Sequence, residues 1–458
     1  MRALIVVAVT LIMLVPFIII EPVASADEPK LELSTGTTDT FWGGDYVAIK
    51  SGTKAWFGVI YGTAANPGPI RIVSLHTRYI GGADVYGEKG RLISENIGIP
   101  VESIAAQVLT NIYEFQDANN NSLFDYSVAA DWWGDISHSD PVYKRATLNT
   151  AWTLSTPQRT DTGWTFSLSA SNLSYLRVGL GGGQPSGKLE SLMFTFHIGA
   201  RSVESNVTLP WYKITVSNGA VSDSEQVGTR SMKAERLSAD FKLDHYIQGW
   251  DFDPANTGPT RGLILEAHTL LGFGILPAVA SWIKEQFVNN LNASGSMQFS
   301  DANGTREKVS EGNPSARLGS VSSQGIAFQD TWQRYGAFTW VSNVSVYPDE
   351  NSTSPVQDSV VFQVTGARRM SILNWKGAGS GLLATVLLSG GFVYPGGAKL
   401  IHDPTFSAVA QLVEWGKALI QLLPKGIVMF QLLVAVVAAV VAGGIAVSRR
   451  RRKKPEER

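Results

Sequence analysis

Asp117, Asn119, Asn121 and Asp125 place oxygen-bearing side chains at positions 1, 3, 5 and 9 of one short stretch, DANNNSLFD. A tight loop turns such odd-numbered side chains inward, and the Leu123 carbonyl then stands at position 7. That set of oxygens suits one hard cation, Ca2+, in a weak structural site of the extracellular kind. Only Asp117 and Asp125 carry formal charge. Ser122 stands where glycine makes the sharp turn, and Val128 where a bidentate Glu completes such a site. Glu114, Asp131 or Asp135 could supply the missing ligand. The same residues also suit an Asn-rich turn that holds no ion.

Other candidate groups are weaker. Asp131-Trp132-Trp133-Gly134-Asp135, with His138 and Asp140 beyond it, could stack indole rings on sugars next to carboxylates. Trp is usually mostly buried, so a strand edge with one buried indole is the plainer reading. Asp251 and Asp253 in Trp250–Pro254 share a face if extended, yet glycosidases need facing carboxyls at a fixed separation. A turn with solvated acids before Pro254 is the simpler expectation. The six histidines fall at no metal-ligand spacing, and no nucleophile elbow, zinc-protease helix or phosphate loop occurs. The chain has no cysteine, which excludes thiolate catalysis and Cys-ligated metal. The expectation is a protein that is not an enzyme.

The ends of the chain say where these groups sit. Gly426–Ser448 is a 23-residue run whose only strongly polar side chain is Gln431, followed by RRRRKK. As a helix it reaches about 34 Å, enough to cross a bilayer, and the cations stop transfer on the cytoplasmic side. At the other end, Arg2, an apolar stretch and Ala24-Ser25-Ala26 have the order of a secretory signal, cleaved or retained as an anchor. The expected organisation is a signal peptide over 1–26, an exterior segment and a transmembrane helix over 426–448. A basic cytoplasmic tail over 449–458 completes a type I protein of the cell membrane. The net charge is −1, and the tail carries seven cations against two anions, so the exterior is mildly acidic and unlike a nucleic-acid binder. N-x-S/T sequons at Asn120, Asn172, Asn206, Asn292, Asn303, Asn343 and Asn351 all fall in that exterior, as candidate glycosylation sites or as plain polar turns.

The exterior reads as mainly β. Leu148–Leu154, Trp164–Ala170, Leu192–Ile198 and Ala239–Ile247 alternate apolar and polar residues at period two. Asp301–Gly304 reads as a hairpin turn, and Leu382–Leu388 as a buried strand. Such spacing favours two β-sandwich-like domains, 27–218 and 233–397, divided at the polar stretch Ser217–Arg230. The few expected helices are Pro277–Leu291, Pro100–Leu109 and an amphipathic juxtamembrane helix over 404–423. In the last, Ser407, Gln411, Glu414, Lys417 and Gln421 make one polar stripe.

The segments Tyr113–Asp125, Gly249–Asp253 and Gly390–Pro404 carry a resemblance. The asparagine loop is similar to the DxDxDG calcium loops of EF-hand and dockerin-like modules. The whole layout resembles archaeal single-pass cell-surface proteins that have no assigned activity. The resemblance implies location and class only. The expected function is a membrane-anchored structural or adhesion protein, with Ca2+ as a candidate stabiliser, meeting the lipid bilayer, other envelope proteins or glycans. A glycan- or solute-binding receptor and a membrane-tethered hydrolase are the alternatives.

Overall fold

The computed structural model describes residues 31–38, 44–51, 55–125, 140–161, 163–178, 185–217, 220–258, 260–275, 296–301, 306–310, 315–316, 325–329, 334–340, 343–349, 351–372, 382–413 and 417–418. These are almost wholly β. The first half holds β1 (Leu31–Thr38), β2 (Gly44–Ser51), β3 (Ala55–Tyr61), β4 (Ile70–Gly87), β5 (Leu92–Gln116), β6 (Val142–Thr147), β7 (Thr153–Leu154), β8 (Gln158–Thr160), β9 (Gly163–Arg177) and β10 (Pro185–Ser217). Then come β11 (Ala220–Gln248), β12 (Arg261–Ile275), β13 (Ser296–Asp301), β14 (Arg306–Ser310), β15 (Ser315–Ala316), β16 (Gly325–Gln329) and β17 (Arg334–Trp340). The last are β18 (Asn343–Tyr347), β19 (Val356–Ser359), β20 (Val361–Ile372), β21 (Leu382–Pro395), β22 (Lys399–His402), β23 (Pro404–Val413) and β24 (Lys417–Ala418).

Two runs of neighbours organise them. One is antiparallel throughout, β1–β2–β3–β4–β5–β12–β21–β20. The other is β9–β10–β11, with β22 and β23 on the far side of β11. The runs join where β4 lies parallel to β10 over 82–87 and where β6 bridges β5 to β9.

One apolar core takes side chains from both runs. Leu192, Phe194, Phe196 and Ile198 are buried, while Met193, Thr195 and His197 between them are half-exposed. Their register partners Ile247, His245, Leu243 and Phe241 are buried too. Phe166 stacks on Phe196 at 5.1 Å between ring centres, and Trp152 meets Phe194 at 5.6 Å. Each such ring contributes roughly 1.5–3 kcal/mol by leaving water, so the period-two pattern is enforced by burial.

Three expectations are corrected. Pro404–Val413 is a strand, not the start of a helix, because β11 and β17 hydrogen-bond it from both sides. Those ladders satisfy its backbone and override the helical stripe. Pro100–Leu109 is likewise strand, inside β5 and flanked by β4 and β12. Ser217–Arg230 is no linker: 220–230 pairs with β10 as one limb of a long hairpin, and β5 pairs with β12 across the expected boundary. Among the described residues no helix is long and apolar enough to cross a membrane. The segments 277–291 and 426–448 lie outside the described residues.

The six histidines are far apart in sequence, but the sheet brings two together. His245 and His402 are register partners, and the Tyr394 hydroxyl lies 2.6 Å from His245 Nδ1 and 3.1 Å from His402 Nδ1. All three side chains are about 1% exposed, packed against Phe194 and Phe392. His245 Nε2 has no partner among the described residues. An unpaired acceptor costs less than an unpaired N–H, so His245 is best assigned as the Nδ1–H tautomer donating to Tyr394, which donates to His402. Burial, with His402 nearby, holds His245 well below the usual histidine range.

The folded state therefore keeps His245 neutral, while the unfolded chain protonates it below about pH 6.5. Stability should be full above that pH and fall as pH drops, by up to about 1.4 kcal/mol per pH unit for this one group. Denaturant melts between pH 7.5 and 5 check this. His245→Phe should flatten the slope by one proton's worth, and an unchanged slope would assign the acid sensitivity elsewhere.

Candidate cation loop and adjoining groove

The loop leaves β5 at Asp117 and returns against β20. Asp117 Oδ1 accepts the Asn121 N–H at 3.1 Å and Oδ2 accepts that of Ser122 at 2.7 Å. Asn119 Oδ1 takes the Asn121 N–H at 3.1 Å, and Asn121 Oδ1 takes the Leu123 N–H at 2.9 Å. Ser122 adopts φ +60° and Asn120 +56°. Position 6 thus takes the left-handed turn without glycine, at a cost of about 1–3 kcal/mol that the loop's own bonds offset. The side chains of Asn119, Asn121 and Asp125 converge, with Asn119 Nδ2 at 2.5 Å and Asn121 Nδ2 at 3.4 Å from Asp125 Oδ2. As placed, amide nitrogens face the carboxylate. A cation there would need the amide oxygens turned inward, a half-rotation of each amide.

A further carboxylate clamps the loop, and sequence spacing missed it. Asp140 accepts the Ala118 N–H at 3.0 Å and the Asp125 N–H at 2.7 Å, joining both ends of the turn. Burial, with Asp125 and Asp117 close by, raises its pKa above the ordinary range against the pull of those two N–H donors. Gln363 was also missed: its side chain accepts the Phe124 N–H at 2.8 Å and donates to the Phe124 carbonyl. Phe124 itself packs on Phe115 at 5.0 Å. Neither residue has a local signal, since 15 to 239 positions separate the partners.

Glu114 is not the missing cation ligand. It is fully buried and turns to the other side, accepting from Trp250 Nε1 at 3.1 Å, the Asp253 N–H at 2.9 Å and Asn256 Nδ2 at 3.0 Å. Nor is Asp253 a solvated turn acid: it is buried and paired with Arg177 at 3.2 Å, while Asp251 is exposed. Buried Lys144 donates to the Asp251 carbonyl at 2.5 Å and lies over the Tyr175 ring. These contacts make Trp250–Asn256 a rigid turn, not a pair of facing catalytic acids. Asp131 and Asp135, with Trp132 and Trp133, lie outside the described residues.

Among the described residues no group of three or more His, Asp or Glu side chains is arranged to hold a metal ion. The loop offers two carboxylates, with amide and carbonyl oxygens for the rest. Beside it opens a groove of about 570 Å3, lined by Asp117, Asn120 and Ser122 from the loop and by Thr257, Gly258 and Thr260–Gly262 from the turn before β12. Asp358, Val361 and Pro395 close it.

Glu114→Gln replaces an oxygen that faces donors with an amide N–H. It should cost about 2–4 kcal/mol in denaturant melts, whereas Asp125→Asn, half-exposed, should cost under about 1 kcal/mol. Equal costs would remove Glu114 from this role.

No protein-family model matches the chain, and no curated protein matches it.

Proposed function

We propose that the chain is a membrane-anchored structural or adhesion protein of the cell surface. Its β body faces outward, and a helix over Gly426–Ser448 holds it in the bilayer. The observation that carries this reading is that apolar run with its RRRRKK flank, adjoining a β body that has no cysteine. Sequon exposure supports an exterior position: Asn172, Asn206, Asn343 and Asn351 are all exposed, as acceptors of glycans must be, while Asn120 lines the groove beside the loop. Asn292 and Asn303 lie outside the described residues. The two strand runs around one core are consistent with a sandwich-like packing that resists bending.

We further propose that Ca2+ stiffens the body at Asp117, Asn119, Asn121, the Leu123 carbonyl and Asp125. Supporting this are the inward convergence of the three side chains and the left-handed Ser122 at position 6. Asp140 adds negative potential at the base of the loop. The mechanism is display: the β body presents its loops to envelope partners.

The chain's lack of cysteine makes orientation measurable. Thr353→Cys, in an exposed turn, should react with a membrane-impermeant maleimide on intact cells, whereas Lys454→Cys should react only after lysis. Labelling of Lys454→Cys first, or of neither until lysis, would refute the outward-facing topology.

A further inference from the structure

Arg261 is held in place at the groove. Its guanidinium lies 4.5 Å from the Phe252 ring centre, and its stem crosses Gly396 so closely that a Cβ there would come within 2.8 Å of Arg261 Cγ. The residue is nonetheless exposed, and among the described residues it forms no ion pair with a carboxylate. Part of the entropy of fixing a long side chain is therefore already lost before any ligand arrives. A guanidinium presents parallel N–H donors matched to a carboxylate.

The rest of the lining fits a sugar. Thr257, Ser359 and Asn120 offer hydroxyl and amide groups, and Asp358 is an exposed acceptor. Val361 and Pro395 give an apolar patch on which the C–H face of a pyranose can rest. The groove's volume, about 570 Å3, is in the range of small-ligand sites. The geometry points to a binding site for an acidic sugar unit of a glycan. Its carboxylate pairs with Arg261, and its hydroxyls bond Asp358 and the Thr257–Asn120 walls. A peptide carboxylate is the poorer fit, because the lining is hydroxyl- and amide-rich and offers no deep apolar pocket for a side chain.

Binding there does not depend on how the chain is anchored, so purified full-length protein in detergent is the sample. Calorimetric titration uses trigalacturonate, uncharged galactotriose and a short peptide with a free carboxylate, all in EDTA so that calcium bridging plays no part. Trigalacturonate should bind at least about tenfold more tightly than galactotriose. Arg261→Gln should weaken it about tenfold or more with an unchanged melting temperature, and Arg261→Lys should fall between. The assignment is overturned if trigalacturonate does not bind, if the two sugars bind equally, if Arg261→Gln leaves binding intact, or if the peptide binds more tightly.

Discussion

A carboxylate with no contact to water sits at the end of the central strand, and the outward-facing features depend on it. Burying Glu114 unpaired would cost several kcal/mol, so its donors must be delivered with it. The donors come from Trp250, Asp253 and Asn256, which locks a turn of the chain's middle onto the end of β5. Three residues further along, the Asp117 N–H bonds the Thr260 carbonyl at 3.0 Å, and the Thr260 hydroxyl bonds the Asp117 carbonyl at 2.7 Å. The asparagine loop and the turn before β12 thus hang from one strand end. The groove is the space left between them.

Charge in this region is arranged in two opposite ways. Around Glu114 the carboxylate is neutralised by converging N–H dipoles, with Lys144 and Arg177 tying down Asp251 and Asp253 next to it. In the loop three carboxylates lie close together: Asp117 and Asp140 each accept two backbone N–H groups, and Asp125 accepts from the Asn119 and Asn121 amides. Burial and like charge leave Asp140 raised. That like charge is what a divalent ion would relieve, and it is why the loop, and not the Trp250–Pro254 turn, is the better cation candidate.

Much of the strand pattern was legible because one face of each strand had to be apolar. Leu192–Ile198 and Phe241–Ile247 follow the alternation residue by residue. That Asp117, Asn119, Asn121 and Asp125 share one turn was legible because they lie within nine consecutive positions. What sequence hid was set by non-local pairing. The polar stripe of 404–423 has helical spacing, yet its first ten residues are a strand because β11 and β17 supply hydrogen-bond partners on both sides. Asp140, Gln363 and the His245–Tyr394–His402 contact needed the sheet's register before they could meet. The segments Tyr113–Asp125, Gly249–Asp253 and Gly390–Pro404 meet for the same reason: Glu114 holds Trp250, and the Gly249 N–H bonds the Ala398 carbonyl at 2.9 Å.

The direct test of a calcium-stiffened surface body is thermal melting of the full-length protein in detergent, first in EDTA and then in millimolar calcium. The account expects a clear upward shift in calcium that Asp117→Ala abolishes and Asp125→Asn reduces, whatever each variant does to the melt in EDTA. Superposed wild-type melts, or a calcium shift that survives Asp117→Ala, would contradict it.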